Sequence, residues 1–172
     1  MIKEFPLGPL MNQERSLSHR PVDEWVKAGQ RAWHTARGLP MSTKIFLNLP
    51  VKDVAAAQRF YTGLGYAINP QFTGPDSACV VISEDITAML MSVPHFQDFT
   101  TNDVADATKT TEVIIALSAE TRAAADELAD KALAAGGTEP KAPQDHGFMY
   151  VRSFTDLDGH HWELIWAAEQ GS

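Results

Sequence analysis

Two glutamates lie in segments that read as β-strands, where a carboxylate is costly to bury unless another group pairs with it. Glu163 is in the middle of the apolar run 160–166, and Glu112 begins the run 112–117. If the two carboxylates approach each other, their repulsion raises the pKa of one of them. That carboxyl group would then suit a general acid or base. The two glutamates are therefore the first candidates for catalysis.

Side chains alternate across a strand, so the residue order indicates what shares a face with Glu163. His161 lies on the same face, whereas His160 lies on the other face, beside the acidic turn 156–159. We predict that His160 is a surface histidine. The alternative to a catalytic role is that the two glutamates pair with Arg152 or Lys109 and form a satisfied polar patch.

The composition is that of an ordinary soluble domain with an excess of acidic residues. The 172 residues are 44% apolar and 21% charged, and the net charge is -8 with no cluster of Lys or Arg. We expect a small-molecule ligand, and neither a nucleic acid nor a membrane as partner. The single cysteine, Cys79, lies in an apolar run, which predicts a buried thiol in a reducing compartment. No segment resembles a membrane span or a signal peptide, which favours the cytoplasm.

The pattern along the chain changes near residue 41. Residues 1–40 are interrupted by Pro and Gly and predict an irregular extension with one short helix at 22–36. Met41 is a second candidate start of the protein, so the extension is a hypothetical upstream addition. Residues 41–168 predict one domain.

This domain contains the same element order twice, β-α-β-β-β, which indicates an internal duplication. Module one is 44–93, the linker is 94–111 and module two is 112–167. Each predicted helix has a capping residue, Asp53 in module one and Ser118 in module two. The predicted strands are 44–49, 66–73, 77–83, 86–93, 112–117, 138–142, 148–154 and 160–166, and the predicted helices end near Tyr61 and Ala135.

Several of these segments resemble the vicinal oxygen chelate superfamily. Its opening resembles Phe-Leu-Asn-Leu-Pro-Val-Lys-Asp at 46–53, Arg-Phe-Tyr at 59–61 and Gly-Leu-Gly-Tyr at 63–66. Its closing hairpin resembles Asp-Leu-Asp-Gly at 156–159 followed by Trp-Glu-Leu at 162–164. The superfamily includes glyoxalase I, extradiol dioxygenases, fosfomycin-resistance transferases and bleomycin-sequestering proteins.

The resemblance implies an α+β fold in which two tandem modules form an incomplete barrel around a cavity. It also implies a homodimer, since related single-domain proteins are commonly dimers and some build the cavity across the interface. Enzymes of the family hold a divalent metal with one residue from the first and last strands of each module. The corresponding positions here are Phe46, Met89 or Met91, Glu112 and Glu163.

Half of this set is apolar, because Phe46 and a methionine supply no oxygen or nitrogen to a divalent cation. What remains is Glu163 with Glu112, and a further donor from His161 or Asn48. Two carboxylates and one imidazole resemble sites that hold iron, manganese, zinc or nickel with open positions. The resemblance therefore leaves a divalent metal as an open prediction.

Other residues are candidates for contact with a ligand in the cavity. His146 lies in a loop at the mouth of module two, where it either contacts a ligand or caps a strand, and Tyr150 follows on the next strand. The full set of predicted ligand-binding residues is Phe46, Asn48, Met89, Met91, His146, Tyr150 and His161, with Glu163 and Glu112 as the catalytic or metal-binding pair.

Two functions agree with these observations. The first is a glyoxalase- or dioxygenase-like protein that acts on or binds a small molecule, with a metal held by carboxylates; as an enzyme it would be a lyase, isomerase or dioxygenase. The second is a metal-free binding protein that resembles the bleomycin-resistance type. Retention of Glu163 favours chemistry, and loss of two metal positions favours binding, so the sequence leaves the enzyme question open.

Overall fold

The computed structural model describes residues 43–168. The predicted extension 1–40, its helix at 22–36 and the proposed start at Met41 lie outside these residues. Within the described part, the two predicted modules form two four-stranded sheets, and the predicted α+β class is confirmed. The two sheets do not close into a barrel.

The elements of module one are β1 Ile45–Val51, α1 Val54–Gly63, β2 Ala67–Ile68, β3 Ser77–Val81, β4 Ile86–Ser92 and α2 Val93–Gln97. The first strand lies at the edge of the sheet, beside the last strand of the same module. The strand order is β1-β4-β3-β2, with β1 parallel to β4 and the other pairs antiparallel. A short helix, α2, follows at the start of the linker.

Module two repeats this arrangement with the elements β5 Ile114–Ser118, α3 Arg122–Ala134, β6 Gln144–Asp145, β7 Met149–Thr155 and β8 His161–Ala167. Its strand order is β5-β8-β7-β6, with β5 parallel to β8, and the hairpin between β7 and β8 turns at the predicted acidic residues. Gly159 in this turn has a φ of 93°, which an L-residue rarely adopts.

Of the two predicted helix caps, the structure confirms one and contradicts the other. The carboxylate of Asp53 accepts a hydrogen bond from the Ala56 backbone over 2.9 Å, so the predicted cap of α1 is confirmed. The predicted cap of α3, Ser118, is wrong because the Ala119 backbone N–H donates to a carbonyl of β8 over 2.8 Å and continues the sheet. Thr121 caps α3 instead, and accepts from Ala124 over 3.0 Å.

Two predicted strands are shorter or absent, and prolines explain both differences. The strand predicted at 66–73 forms only β2, because Asn69 and Pro70 begin a 3₁₀ turn, Pro70–Phe72. The strand predicted at 138–142 is reduced to one bridge between Thr138 and Thr155. Proline lacks the backbone N–H that a ladder requires; Pro140 lies within this segment and Pro143 follows it directly.

The core lies where the helix-covered faces of the two sheets meet. Phe60 and Tyr61 of α1 reach across to module two, where the Tyr61 and Trp162 rings lie 5.9 Å apart and the Phe60 and Phe154 rings 6.4 Å apart. Trp162 and Tyr61 are each 1% exposed. Both sheets place their long helices, α1 and α3, in this shared core, so neither of these two helices covers the opposite face of its sheet. Within residues 43–168 no helix is both long and apolar enough to cross a membrane.

Candidate functional site

The module-one face is the side of the first sheet that points away from the helices. Strand pairing joins Phe46 to Thr87 and Asn48 to Met89, and side-chain alternation places all four on this face. Phe46 is 49% exposed and Asn48 is exposed, while Met89 is half-buried. The pairing of Pro50 with Met91 continues the face at the far end of the strand, where Met91 is 5% exposed.

Cys79 pairs with Met89 and lies on the module-one face. It is 4% exposed, which confirms the predicted burial of the thiol. Burial raises the pKa of the Cys79 thiol, so the reactive thiolate is disfavoured.

The module-two face is the corresponding side of the second sheet. Glu163 pairs with Ala116 on β5 and with Ser153 on β7. His161 pairs with Ile114 and with Thr155 in the same two strands, so it shares the face of Glu163 as predicted. This face therefore carries a carboxylate and an imidazole, in contrast to the apolar module-one face.

The two helix caps define which positions of the modules are equivalent. Phe46 and Ile114 each lie seven residues before their cap, Asp53 or Thr121. The strand pairing then makes Met89 equivalent to Glu163, because these are the partners of Asn48 and Ala116. By the same count Glu112 is equivalent to Lys44. It precedes β5 and is not part of the ladder.

The donor atoms at the four central positions do not fit a divalent metal. These positions are Phe46, Met89, Ile114 and Glu163, and only Glu163 supplies an oxygen ligand. Across residues 43–168 the structure contains no group of three or more His, Cys, Asp or Glu side chains that could hold a metal ion. The ionisable neighbour of Glu112 is His160, whose Nδ1 lies 3.9 Å from Glu112 Oε1. Within residues 43–168, a single copy of the chain therefore places Glu163 and His161 on one face but does not complete a metal site.

Arg152 lies on the helix-covered face and not beside Glu163. Its guanidinium donates to Asp126 over 2.7 Å, to Asp130 over 3.1 Å and to Glu139 over 3.2 Å. Burial lowers the pKa of Arg152, but the hydrogen bonds to Asp126 and Asp130 outweigh burial and raise it above its usual value. The predicted pairing of Arg152 with the two glutamates is therefore replaced by a link between β7 and α3.

Lys109 also has a different partner from the one predicted, since its ammonium lies 2.9 Å from Asp106 in the linker. Tyr150 lies on the helix-covered face, where its hydroxyl donates to Asp126 over 2.7 Å. His146 is exposed in the loop between β6 and β7, and its backbone N–H donates to Met149 over 2.9 Å. The structure therefore separates Tyr150 from the face of Glu163.

The prediction that His160 lies at the surface is wrong, because the residue is 3% exposed. Its Nε2 donates to the carbonyl of Pro50 over 2.8 Å, across the junction between the modules. Asp158 in the same turn accepts from the Lys52 backbone over 2.8 Å. Burial raises the pKa of Asp158, and the charge of Asp156 raises it further, whereas the Lys52 hydrogen bond lowers it.

The acidic turn of module two therefore binds the β1–α1 connection of module one. Sequence reasoning identified the turn as a hairpin but did not find its contact with the other module. The available signal was the number of acidic groups in one short turn, Asp156 and Asp158, since a tight hairpin requires only one of them.

A family model described as bleomycin resistance protein-like N-terminal matches residues 43–83 of the chain. No match to a curated protein was found for this sequence. Among solved structures, a hypothetical protein from S. aureus is 29% identical, with a TM-score of 0.62, and the alignment covers 74% of this chain and 96% of that one.

Two further solved structures have the same fold at lower identity. A glyoxalase/bleomycin resistance protein/dioxygenase family enzyme from Burkholderia phytofirmans is 17% identical, with a TM-score of 0.61 and coverage of 73% of this chain and 99% of that one. A glyoxalase-related enzyme from Fulvimarina pelagi is 22% identical, with a TM-score of 0.59 and coverage of 78% and 96%. The chain therefore shares the fold of these solved structures, as the resemblance to the vicinal oxygen chelate superfamily predicts, and residues 43–83 match the bleomycin resistance protein-like N-terminal model.

Proposed function

We propose that this protein binds a small organic molecule against the module-one and module-two faces, and that binding needs no metal. The observation that carries the proposal is the chemistry of the four equivalent central positions, of which Phe46, Met89 and Ile114 are apolar. Aromatic, thioether and aliphatic side chains are the usual lining of small-molecule sites, and a few polar groups fix the ligand's orientation. Glu163 is the polar group at the centre of this set.

The proposal includes a homodimer in which a second copy of the chain brings the two kinds of face together. In the described part of one chain the helix-covered faces meet in the core, so the two outer faces point away from each other. Among the strands of residues 43–168, β1 and β5 each have one neighbour in their sheets, and such edges pair readily with another chain. Ile114 on β5 is 50% exposed and Phe148 is 63% exposed, which a second copy would cover.

A second candidate function retains Glu163 as a catalytic or metal-binding carboxylate. It is favoured by the central position of Glu163 on its face, with His161 two residues away. In this alternative the protein is a metal-dependent lyase, isomerase or dioxygenase, and iron, manganese, zinc or nickel is held by Glu163 and Glu112. A partner chain or the substrate would have to supply further oxygen or nitrogen donors.

Metal content distinguishes the two candidates. The protein, purified without a metal affinity tag, is incubated with each of the four ions, dialysed and analysed for elements. We expect no stoichiometric metal. A stoichiometric ion that disappears in both Glu163→Gln and Glu112→Gln would establish the metal-dependent alternative.

Ligand binding tests the main proposal directly. We expect naphthylmethanol, a neutral aromatic probe, to bind the full-length protein with measurable heat in titration calorimetry. Met89→Lys places a charge on the module-one face and should weaken this binding about tenfold or more. The matched control is Ala55→Lys, which adds the same charge to an exposed position of α1. Equal binding by both variants would contradict a site on the module-one face.

A further inference from the structure

We propose that Glu163 binds the protonated amine of an organic cation, whose apolar part lies on the same sheet face. This inference rests on the small-molecule site proposed above and assigns the chemical class of its ligand. It concerns the module-two face, where the carboxylate of Glu163 has a role other than binding a metal.

The neighbours of Glu163 leave room for a ligand. Its partners in the two adjacent strands are Ala116 and Ser153, whose short side chains do not reach as far above the sheet as a glutamate does. Ala116 is exposed, and the Ser153 hydroxyl donates a hydrogen bond to the Lys141 carbonyl over 3.3 Å. The Glu163 side chain therefore lies between two shorter side chains, and a ligand can approach it from the side of β5.

Glu163 has no cationic partner within residues 43–168. The arginines nearest to this part of the sheet are bound on the other side, where Arg152 pairs with carboxylates of α3 and Arg122 pairs with Asp145. A half-buried carboxylate without a counter-ion is unfavourable, and a bound cation removes that cost. The net charge of -8 also raises the local concentration of cations over anions.

His161 supplies a second, independent observation. Its Nε2 atom is buried and has no hydrogen-bond partner in the described part of the chain. His161 and Glu163 share the face at positions two residues apart, roughly 7 Å along the strand. An ammonium group carries three donors, so it can bond to the Glu163 carboxylate and, where rotation of the His161 ring exposes Nε2, to this nitrogen as an acceptor.

The rest of the face suits an apolar ligand body. Ile114 lies beside His161 on β5, and Val151 pairs with Ile165 on the far side of Glu163. These aliphatic groups flank the carboxylate along the sheet. A molecule with a flat or bulky apolar part and one protonated amine matches both the charge and the surroundings.

The experiment compares three probes with the same ring system: naphthylmethylammonium, naphthylmethanol and naphthoate. Their dissociation constants are measured by titration calorimetry on the full-length protein at low and high salt. We expect the cation to bind about tenfold tighter than the alcohol, the anion to bind most weakly, and the preference to shrink at high salt because ions screen charges.

Two variants locate the charge. Glu163→Gln keeps the size of the side chain, and it should weaken the cation about tenfold while it leaves the alcohol unchanged. Glu120→Gln removes the same charge from an exposed residue before α3 and should change none of the three constants. Circular dichroism of each variant checks that the fold is kept, and the probe series on the unmodified protein does not depend on any variant.

The outcomes separate this inference from the function it rests on. If all three probes bind with equal affinity, or Glu163→Gln weakens all three alike, the cation assignment is overturned and the small-molecule site remains. If no probe binds, the proposed function itself is overturned, and the cation assignment with it. A cation preference that disappears in Glu163→Gln alone supports both.

Discussion

The hydroxyl of Tyr61 connects the two modules through one buried hydrogen bond. It donates to Asp156 Oδ2 over 2.6 Å, and the two residues are 1% and 5% exposed. Hydrogen bonds to charged groups contribute roughly 1.5–3 kcal/mol, and the carboxylate left behind would be buried. We predict that Tyr61→Phe lowers the free energy of unfolding by about 2 kcal/mol, measured by urea denaturation.

The control for this prediction is Tyr66→Phe. The Tyr66 hydroxyl makes no side-chain hydrogen bond within residues 43–168, so its removal should cost less than about 0.5 kcal/mol. Equal losses in the two variants would show that the hydroxyl of Tyr61 is not specifically required.

The same residue predicts a pH dependence. Burial raises the pKa of Tyr61 well above its usual value, and the nearby charge of Asp156 raises it further. The unfolded chain therefore releases the phenolic proton first as the pH rises, and the free energy of unfolding falls above a pH of about 10. The stability that the protonated Tyr61 hydroxyl contributes is fully present below that pH.

We expect the unmodified protein to lose stability more steeply than Tyr61→Phe between about pH 9 and about pH 11. Urea denaturation at several pH values in this range measures the difference. Tyr66 and Tyr150 also have raised pKa values, but both are present in the two proteins, so their effects cancel in the comparison. Parallel curves would contradict the assignment of this pH dependence to Tyr61.

At the scale of the elements, the turn between β7 and β8 is packed against the linker. Gly159 has a φ of 93°, and a Cβ atom added there would lie 2.8 Å from backbone atoms of Ala107 and Thr108. Both the conformation and the contact exclude a side chain, and backbone atoms cannot move aside cheaply. We predict that Gly159→Ala lowers the free energy of unfolding by about 3 kcal/mol.

Gly74→Ala is the matched control, because open space surrounds Gly74 in the loop before β3. This change should be nearly neutral. Thermal or urea denaturation of the two variants decides the point, and similar stabilities would mean that the linker does not pack on the turn as described.

Arg152 links another pair of elements, β7 and α3. A guanidinium can donate to several carboxylates in fixed directions, whereas a lysine ammonium at the end of a flexible stem cannot reproduce that arrangement. We predict that Arg152→Lys costs about 1–2 kcal/mol, although the charge is retained. Arg59→Lys on the exposed side of α1 is the control and should stay within about 0.5 kcal/mol of the unmodified protein. A loss of unfolding free energy no larger than in the control would contradict the structural role of the Arg152 guanidinium.

At the scale of the whole molecule, the proposed dimer depends on the exposed apolar residues of module two, Ile114 and Phe148. Ile114 lies on the edge strand β5 and is 50% exposed. We predict that the protein is a dimer by sedimentation or light scattering, and that Ile114→Lys shifts it towards the monomer because a charge would be buried at the interface. Leu157→Lys, at a 41% exposed position of the acidic turn, should remain dimeric. A monomeric unmodified protein, or a dimer that Ile114→Lys leaves intact, would contradict the proposed pairing.

Local rules predicted those parts of the fold that depend on neighbours in sequence. The cap at Asp53 is correct because the residue bonds to a backbone N–H three positions later. The opposite faces of Glu163 and Trp162 are correct because alternation along a strand is a property of the backbone itself. The failed cap at Ser118 shows the limit of such rules, since the competing partner of the next residue lies on β8.

The sequence by itself determined the two modules, the acidic hairpin and the choice of residues beside Glu163 on its strand, because hydrophobic period, turn residues and capping act over a few positions. Only the tertiary structure decided the burial of His160, whose partner Pro50 is 110 residues away. The tertiary structure also decided that Arg152 binds carboxylates of α3, and that Ile114 rather than Glu112 is the counterpart of Phe46. These facts depend on which surfaces meet, and contacts between distant segments are set by the packing of the whole core and not by any local pattern.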